Sequence, residues 1–262
     1  MKTSDIKLGD RLKILLVGIN GSGKTRFWGS FPGPIYCFDF DNRLATIKKD
    51  FGDRTDIEYD TYDLSNFKKL DAKLDQFQNK GCPYTTVVVD SITSAATSAV
   101  LYSLGETHGK TVAGLSVPSF DEYVVETTTI TKLLEILSKV VNGHIVMTAH
   151  PVDRMETKTD GKKAIITKVS SIVTYGSKVS SIIPNYLDEV YALRSGKDVN
   201  NHAFRTFYTT VNEENDVLAK TSLPLPSKID WTDSNAFDVL TTTLKERNVI
   251  VGTEFTKTKS GF

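Results

Sequence analysis

KILLVGINGSGKT, residues 13–25, joins an apolar run to a glycine-rich turn and the start of a helix. Ile14-Leu15-Leu16-Val17 is short and apolar throughout, the pattern of a strand buried on both faces of a parallel sheet. Gly18-Ile19-Asn20-Gly21-Ser22-Gly23-Lys24-Thr25 then satisfies the phosphate-loop spacing G-x-x-x-x-G-K-[ST] at every fixed position. The residue types suit an anion. Glycines let the backbone curl until successive N–H groups converge on one phosphate. A helix from about Lys24 to Ser30 points its positive end at the same place. Lys24 brings a charge for the β- and γ-phosphates and Thr25 a hydroxyl for Mg²⁺. Asn20, Gly21, Ser22, Gly23, Lys24, Thr25 and Arg26 are the expected nucleotide-binding residues, with ATP and Mg²⁺ the expected ligands.

Outside this loop the composition is ordinary. The 262 residues carry 32 basic and 32 acidic side chains, so no global field announces nucleic acid or a membrane, and a basic binding surface has to be local. Cys37 and Cys82 follow no metal or disulfide spacing, which suits a reducing compartment, the cytoplasm. The first residues, MKTSDIKLGDR, lack the apolar core of a signal peptide, and no run approaches the ~20 apolar residues of a transmembrane helix. One domain over residues 1–262 is expected: a polar lead (1–11), a core (12–222) and a C-terminal helix and tail (223–262).

Along the chain, apolar strands alternate with helical patterns. Ile35 to Asp39 reads as a strand tipped by Asp39 and Asp41, and Asp56 to Asp60 as a shorter one. Ser65 to Asn79 has Phe67, Leu70, Leu74 and Phe77 at helical spacing with Ser65 as cap. Thr85 to Asp90 is a strand followed by a helix of small residues to Leu104; Gly105 to Ser119 reads as a loop. Phe120 to Asn142 is the longest helical pattern, ended by Gly143, and His144 to His150 is another buried strand stopped by Pro151. Val152 to Ser181 has weak periodicity. Tyr186 to Leu193 and Phe204 to Val211 read as strands, and Phe237 to Arg247 as a short helix. The pattern specifies an α/β fold: a mainly parallel central sheet, helices on both faces, and antiparallel strands added at the C-terminal side.

Three strand ends add chemistry to the loop. Asp90 ends an apolar strand, where an acid either positions Mg²⁺ or caps the next helix. Asp41 lies just past its strand, either as a carboxylate that orients and deprotonates the attacking water or as a solvated turn residue. His150 ends its strand as a γ-phosphate contact or as a structural histidine. With Lys24, these form the expected catalytic set, and Thr25 and Asp90 are the expected Mg²⁺ ligands.

The order of phosphate loop, Asp39-Phe40-Asp41, VVVDSIT (87–93) and HIVMTAHP (144–151) resembles the RecA/Rad-type P-loop ATPase core. It is most similar to the small bacteriophage RecA-like nucleotide-binding proteins, the Sak-type single-strand annealing recombinases. The resemblance covers residues 13–150 and extends thinly through NYLDEVYAL and VLAKTSLPLP. It implies that Asp41 is the catalytic acid, as aspartate where recombinases have glutamate, and that His150 replaces their γ-phosphate-sensing glutamine. It implies a sheet in which the strand of Asp90 is separated from the phosphate-loop strand. It also implies a cation donated across a subunit interface, for which Lys220, Arg154 and Lys178 are candidates. Single-stranded DNA, a homo-oligomeric ring or short filament, and a single-strand DNA-binding protein are the implied partners.

Local charge agrees with a DNA contact. Residues 151–181 hold Arg154, Lys158, Lys162, Lys163, Lys168 and Lys178 against Asp153, Glu156 and Asp160, although a solvated loop of mixed charge has the same composition. The expected function is a DNA-stimulated ATPase of phage recombination. The alternatives are a nucleotide-dependent switch or assembly factor, and a small-molecule kinase without DNA binding, which would need an Arg-rich lid.

Overall fold

The computed structural model describes residues 10–52, 54–107, 110–112, 115–160 and 163–253; the side chains of residues 45–46, 107, 110–111 and 154–169 lie outside that description. The N-terminal half runs β1 (Lys13–Val17), α1 (Lys24–Gly29), β2 (Ile35–Asp39), α2 (Ala45–Phe51), β3 (Ile57–Thr61), α3 (Lys69–Lys80), β4 (Thr86–Asp90) and α4 (Ile92–Thr107). Then come β5 (Lys110–Val112), β6 (Leu115–Val117), α5 (Phe120–Val140), β7 (His144–Ala149), β8 (Pro151–Asp160) and β9 (Lys163–Ile172). The chain closes with α6 (Ser177–Ile182), β10 (Glu189–Lys197), β11 (Ala203–Tyr208), β12 (Lys228–Asp230) and α7 (Ala236–Lys245).

The apolar runs become the centre of an eight-stranded sheet, ordered β12-β11-β10-β1-β7-β4-β2-β3. All pairings from β10 to β3 are parallel; β11 and β12 join antiparallel. Strand β7 lies between β1 and β4, so the strand of Asp90 is separated from the phosphate-loop strand as expected. Because β1, β2, β4 and β7 are buried on both faces, each strand feeds two cores. On one face Leu15, Val17, Val87 and Met147 meet α3, α4, α5 and α6; Ala95, Ala96 and Ala99 let α4 lie close against the sheet. On the other, Ile14, Leu16, Val88 and Val146 meet Phe27 and Trp28 of α1, Ile47 of α2, and Phe237 and Leu240 of α7.

Several expectations change. The helix expected from Ser65 begins at Lys69, because Asp63 accepts from the Ser65 and Asn66 N–H groups and the Ser65 hydroxyl, holding residues 64–68 as turns. The helix after Asp90 runs to Thr107, and β5–β6 forms a hairpin where a loop was expected. Residues 151–172 are mostly a hairpin of two ten-residue strands, β8 and β9, which pair with each other and with no other strand among the described residues. Strand β10 starts at Glu189 and is parallel to β1, so antiparallel extension begins only at β11. The cap of α5 is Val141, not Gly143. Helix α2 and strand β12 fall in stretches to which the sequence pattern assigned no element.

Candidate functional site

Val17 pairs with Ala149, Asp39 with Asp90 and Val89 with Met147, so these strands end side by side and whatever follows them meets at one edge. The phosphate loop turns there. Gly21 and Gly23 have φ of 81° and 93°, a region closed to most side chains, and a Cβ on Gly18 would fall 2.3 Å from Ser22 Oγ. Lys24 is buried at the start of α1. Its ammonium donates to the carbonyls of Gly18 (2.6 Å) and Ile19 (3.1 Å) and lies 3.5 Å from His150 Nδ1. Burial lowers its pKa to about 8, against the opposing pull of Asp90 and Asp41. An incoming phosphate gives this desolvated cation a stronger partner than two neutral carbonyls.

Asp90 is 4% exposed and fully engaged. Its Oδ2 accepts from Thr25 Oγ1 (3.0 Å) and Trp28 Nε1 (2.9 Å), and its Oδ1 from Thr148 Oγ1 (2.5 Å). Trp28 and Thr148 hold the carboxylate against the Thr25 hydroxyl, a pair of hard oxygen donors supported from behind, which fits Mg²⁺. No group of three or more His, Cys, Asp or Glu that could cage a metal occurs among the described residues. The Ser22 hydroxyl, in the same loop, is buried without a hydrogen-bond partner among the described residues.

Asp41 stands just past the end of β2, at the same cavity as this pair. Burial raises its pKa, but the His150 ring and the Ser94 and Ser91 hydroxyls outweigh that and hold it down to about 2. Ser91 donates to Oδ1 at 2.9 Å, Ser94 donates to the same oxygen, and His150 Nε2 lies 3.8 Å from Oδ2. Asp39 is not part of the pocket: its Oδ1 accepts from the N–H groups of Asp41 (3.1 Å) and Asn42 (2.7 Å) and shapes the turn that presents Asp41. His150 is fixed through its backbone N–H on Thr93 Oγ1 (3.0 Å). Its ring spans Lys24 and Asp41.

The structure thus brings Lys24, Asp41, Asp90 and His150 together with residues 20–26 around a cavity of about 240 Å³. It adds residues that sequence reading missed. Arg43 and Arg205 line the cavity, with Arg43 Nη1 donating to Asn20 Oδ1 (3.0 Å) and Arg205 Nη1 to the Thr232 carbonyl (3.1 Å). Asp50 lines it too and lies 3.9 Å from Arg26. Arg43 follows the Asp41 tip by two positions, a signal available in the sequence; Arg205 sits on β11, and only the sheet order brings it here.

The expected DNA-contact residues are placed less fully. Lys162 and the side chains of Arg154, Lys158, Lys163 and Lys168 lie outside the described residues. Lys178 is exposed on α6 beside Tyr175 and Phe120. Lys220, a candidate interface cation, donates to the Pro184 carbonyl at 2.7 Å.

No curated protein matches the chain. Among solved structures, the flagellar accessory protein FlaH of Methanocaldococcus jannaschii aligns at TM-score 0.40 and 10% identity, over 88% of this chain and 91% of its own. An ATPase of the type III secretion system of pathogenic bacteria aligns at 0.41 and 14%, over 71% of this chain and 52% of its own. The protein PH0321 of Pyrococcus horikoshii, solved with an unknown peptide, aligns at 0.35 and 9%, over 86% and 89%. The family model described as "AAA domain" matches residues 10–223, from just before β1 to beyond β11. With that match over most of its length, a complete phosphate loop and the sheet order described above, the chain belongs to the AAA domain family, as a P-loop ATPase domain with a RecA-like core.

Proposed function

We propose that this domain hydrolyses ATP with Mg²⁺, binds single-stranded DNA, and works in phage DNA recombination or strand annealing as a head-to-tail homo-oligomer, a ring or short filament. The observation that carries this reading is the position of His150. Its ring lies between Lys24 and Asp41, while its carbonyl accepts from Val173 N (2.9 Å) and its chain continues directly into Pro151 of β8. One residue therefore joins the phosphate end of the cavity to both roots of the β8–β9 hairpin. A γ-phosphate that draws Lys24 away from His150 changes the ring's partners, and with them the hairpin's anchor. The segment from Pro151 to Ser181 carries six of the chain's basic residues against three acids, and Tyr175 is exposed for stacking. Residues 105–119 are a second contact. By linkage, DNA that favours the ATP-bound form favours ATP in return.

In this reading Asp41, held ionised with a pKa of about 2, is a poor proton acceptor and acts by orienting the attacking water. The test is fluorescence anisotropy of a labelled single strand with an ATP analogue, ADP or no nucleotide, for the wild type and for Lys162→Ala/Lys163→Ala/Lys168→Ala. Tighter binding with the ATP analogue, steep weakening with salt and loss in the triple variant are expected. Binding that is absent, or indifferent to nucleotide and lysines, overturns the DNA reading and favours the switch or kinase.

A further inference from the structure

Four cations line the phosphate cavity: Lys24, Arg26, Arg43 and Arg205. Three have partners that hold them elsewhere or a role already described. Lys24 donates to two loop carbonyls and awaits a phosphate. Arg26 lies 3.9 Å from Asp50. Arg205 donates to the Thr232 carbonyl at 3.1 Å and lies over the Trp231 ring, 5.9 Å from its centre. Arg43 makes no ion pair among the described residues. It is exposed, and its hydrogen bond there runs from Nη1 to a neutral amide oxygen, Asn20 Oδ1, at 3.0 Å. A guanidinium carries five N–H donors in a planar fork, so most of this one is open to a ligand.

Two observations place Arg43 at the reacting end of the cavity. The Lys24 ammonium, which serves the β- and γ-phosphates, donates to the Ile19 carbonyl at 3.1 Å, and Asn20 is the next residue of the loop. The Asn20 amide therefore brings the guanidinium to the Lys24 end of the loop. Burial is the main cause of the lowered Lys24 pKa, and the positive charge of Arg43 adds to the lowering, so the two cations act on the same space.

The backbone fixes the direction of Arg43. Phe40 N and Asp41 N donate to the Asp90 carbonyl at 2.7 and 3.2 Å, and Asp41 N and Asn42 N donate to Asp39 Oδ1. Asn42 takes a left-handed φ of 52°, which asparagine tolerates. One pinned turn thus presents Asp41 and, two residues on, Arg43 to the same cavity.

We propose that Arg43 is a catalytic cation supplied in cis: it bonds the γ-phosphoryl oxygens as that group passes to water, so each chain completes its own site. In this step a water oxygen bonds the γ-phosphorus while the bond from that phosphorus to the β,γ-bridging oxygen breaks. The electron pair of the broken bond leaves with ADP, and one water proton passes to a phosphate oxygen. Asp41 orients the water, and Arg43 meets the negative charge on the transferring group, both acting from one turn. The inference rests on the ATPase reading. It replaces the cation expected across a subunit interface from Lys220, Arg154 or Lys178, and it leaves assembly to serve DNA rather than chemistry.

Calorimetry with Mg²⁺ and a steady-state phosphate-release assay test this on the whole chain. The probes are ADP, a non-hydrolysable ATP analogue, and ADP with aluminium fluoride, which mimics the phosphoryl group in transfer. Arg43→Ala is expected to bind the ATP analogue within about threefold of wild type, while turnover falls about 10²-fold and the tighter binding of ADP with aluminium fluoride than of ADP alone is lost. Analogue binding also shows that the variant folds. Arg43→Lys, a point charge without the fork, is expected to recover only part of both losses. A mixture of Arg43→Ala with Lys24→Ala, which carries Arg43 but no working phosphate loop, is expected to stay at the level of Arg43→Ala alone. Activity restored by mixing overturns the cis assignment and gives Arg43 to a neighbour's site. Arg43→Ala that keeps its turnover, or that loses the ATP analogue as heavily as it loses turnover, overturns the catalytic role. Wild type that binds no nucleotide, or binds it without hydrolysis, overturns the ATPase reading itself, and this inference with it.

Discussion

Lys24 and Asp41 act at opposite ends of one contact chain through His150, and their removal separates binding from turnover. The Lys24 ammonium is buried, hydrogen-bonds two carbonyls and lies 3.5 Å from an imidazole, with the Asp90 and Asp41 carboxylates acting on it only at longer range, so a triphosphate is its natural counter-charge. Lys24→Ala is expected to lose ATP binding and hydrolysis together. The Asp41 carboxylate is held by Ser91, Ser94 and His150. Asp41→Asn keeps the shape and the two serine contacts while removing the charge, so ATP affinity is expected to stay near wild type while turnover falls about 10²-fold. Nucleotide titration beside a steady-state phosphate-release assay reads both quantities. Full turnover in Asp41→Asn would transfer the water-orienting role to another group.

At the scale of elements, the β8–β9 hairpin stands apart from the rest of the sheet. Its strands pair from Pro151↔Ile172 to Asp160↔Lys163 and with no other strand among the described residues. Its root is tied to the core through Ile172, which is fully buried, and through the Val173 N–H on the His150 carbonyl. Replacing residues 153–170 with a short Gly-Ser turn leaves that root and every pairing of the eight-stranded sheet in place. Thermal melting within a few degrees of wild type is expected, since a 1 kcal/mol change moves the midpoint of a chain this size by about 2–4 °C. A collapse of the melting temperature would mean that the hairpin is structural, and the nucleotide-linked role proposed for it would then be unnecessary.

His144 ties the whole molecule together from inside. It is fully buried at the start of β7, where Nδ1 accepts from Leu12 N (3.1 Å) and Nε2 donates to the Gly252 carbonyl (2.8 Å), so the ring joins the lead into β1 to the segment after α7. This geometry requires the neutral imidazole. Burial lowers its pKa from 6.5 to about 4, while the Gly252 carbonyl and Asp10 act in the opposite sense and Arg11 adds to the lowering. Between those values the unfolded chain carries a proton that the folded chain does not. The contribution is complete above pH 6.5 and is lost as pH falls toward 4, about 3 kcal/mol in all. Urea unfolding at pH 7, 6 and 5 is expected to show this decline, and His144→Asn to show a shallower one. Parallel declines in both proteins would assign the acid sensitivity elsewhere.

The phosphate loop, the acid after β2, Asp90 and His150 were all legible in the sequence because each follows a short apolar run. A strand buried on both faces has to be apolar along its length, and parallel strands all present their ends at one edge. The alternation of such strands with helices also specified the mainly parallel α/β layering. Local hydrogen bonding then overrode periodicity at Ser65, and residues 151–172, whose weak periodicity named no element, form a hairpin that pairs with no other strand among the described residues. What only the tertiary structure decided are the contacts between distant segments. Arg205 reaches the phosphate cavity because β11 lies beside β10, which lies beside β1. Trp28 and Thr148 reach Asp90, and Trp231 reaches Gly23, for the same kind of reason. A side chain's chemistry is written at its own position, but its partner is set by sheet order, and sheet order comes from the packing of the whole chain.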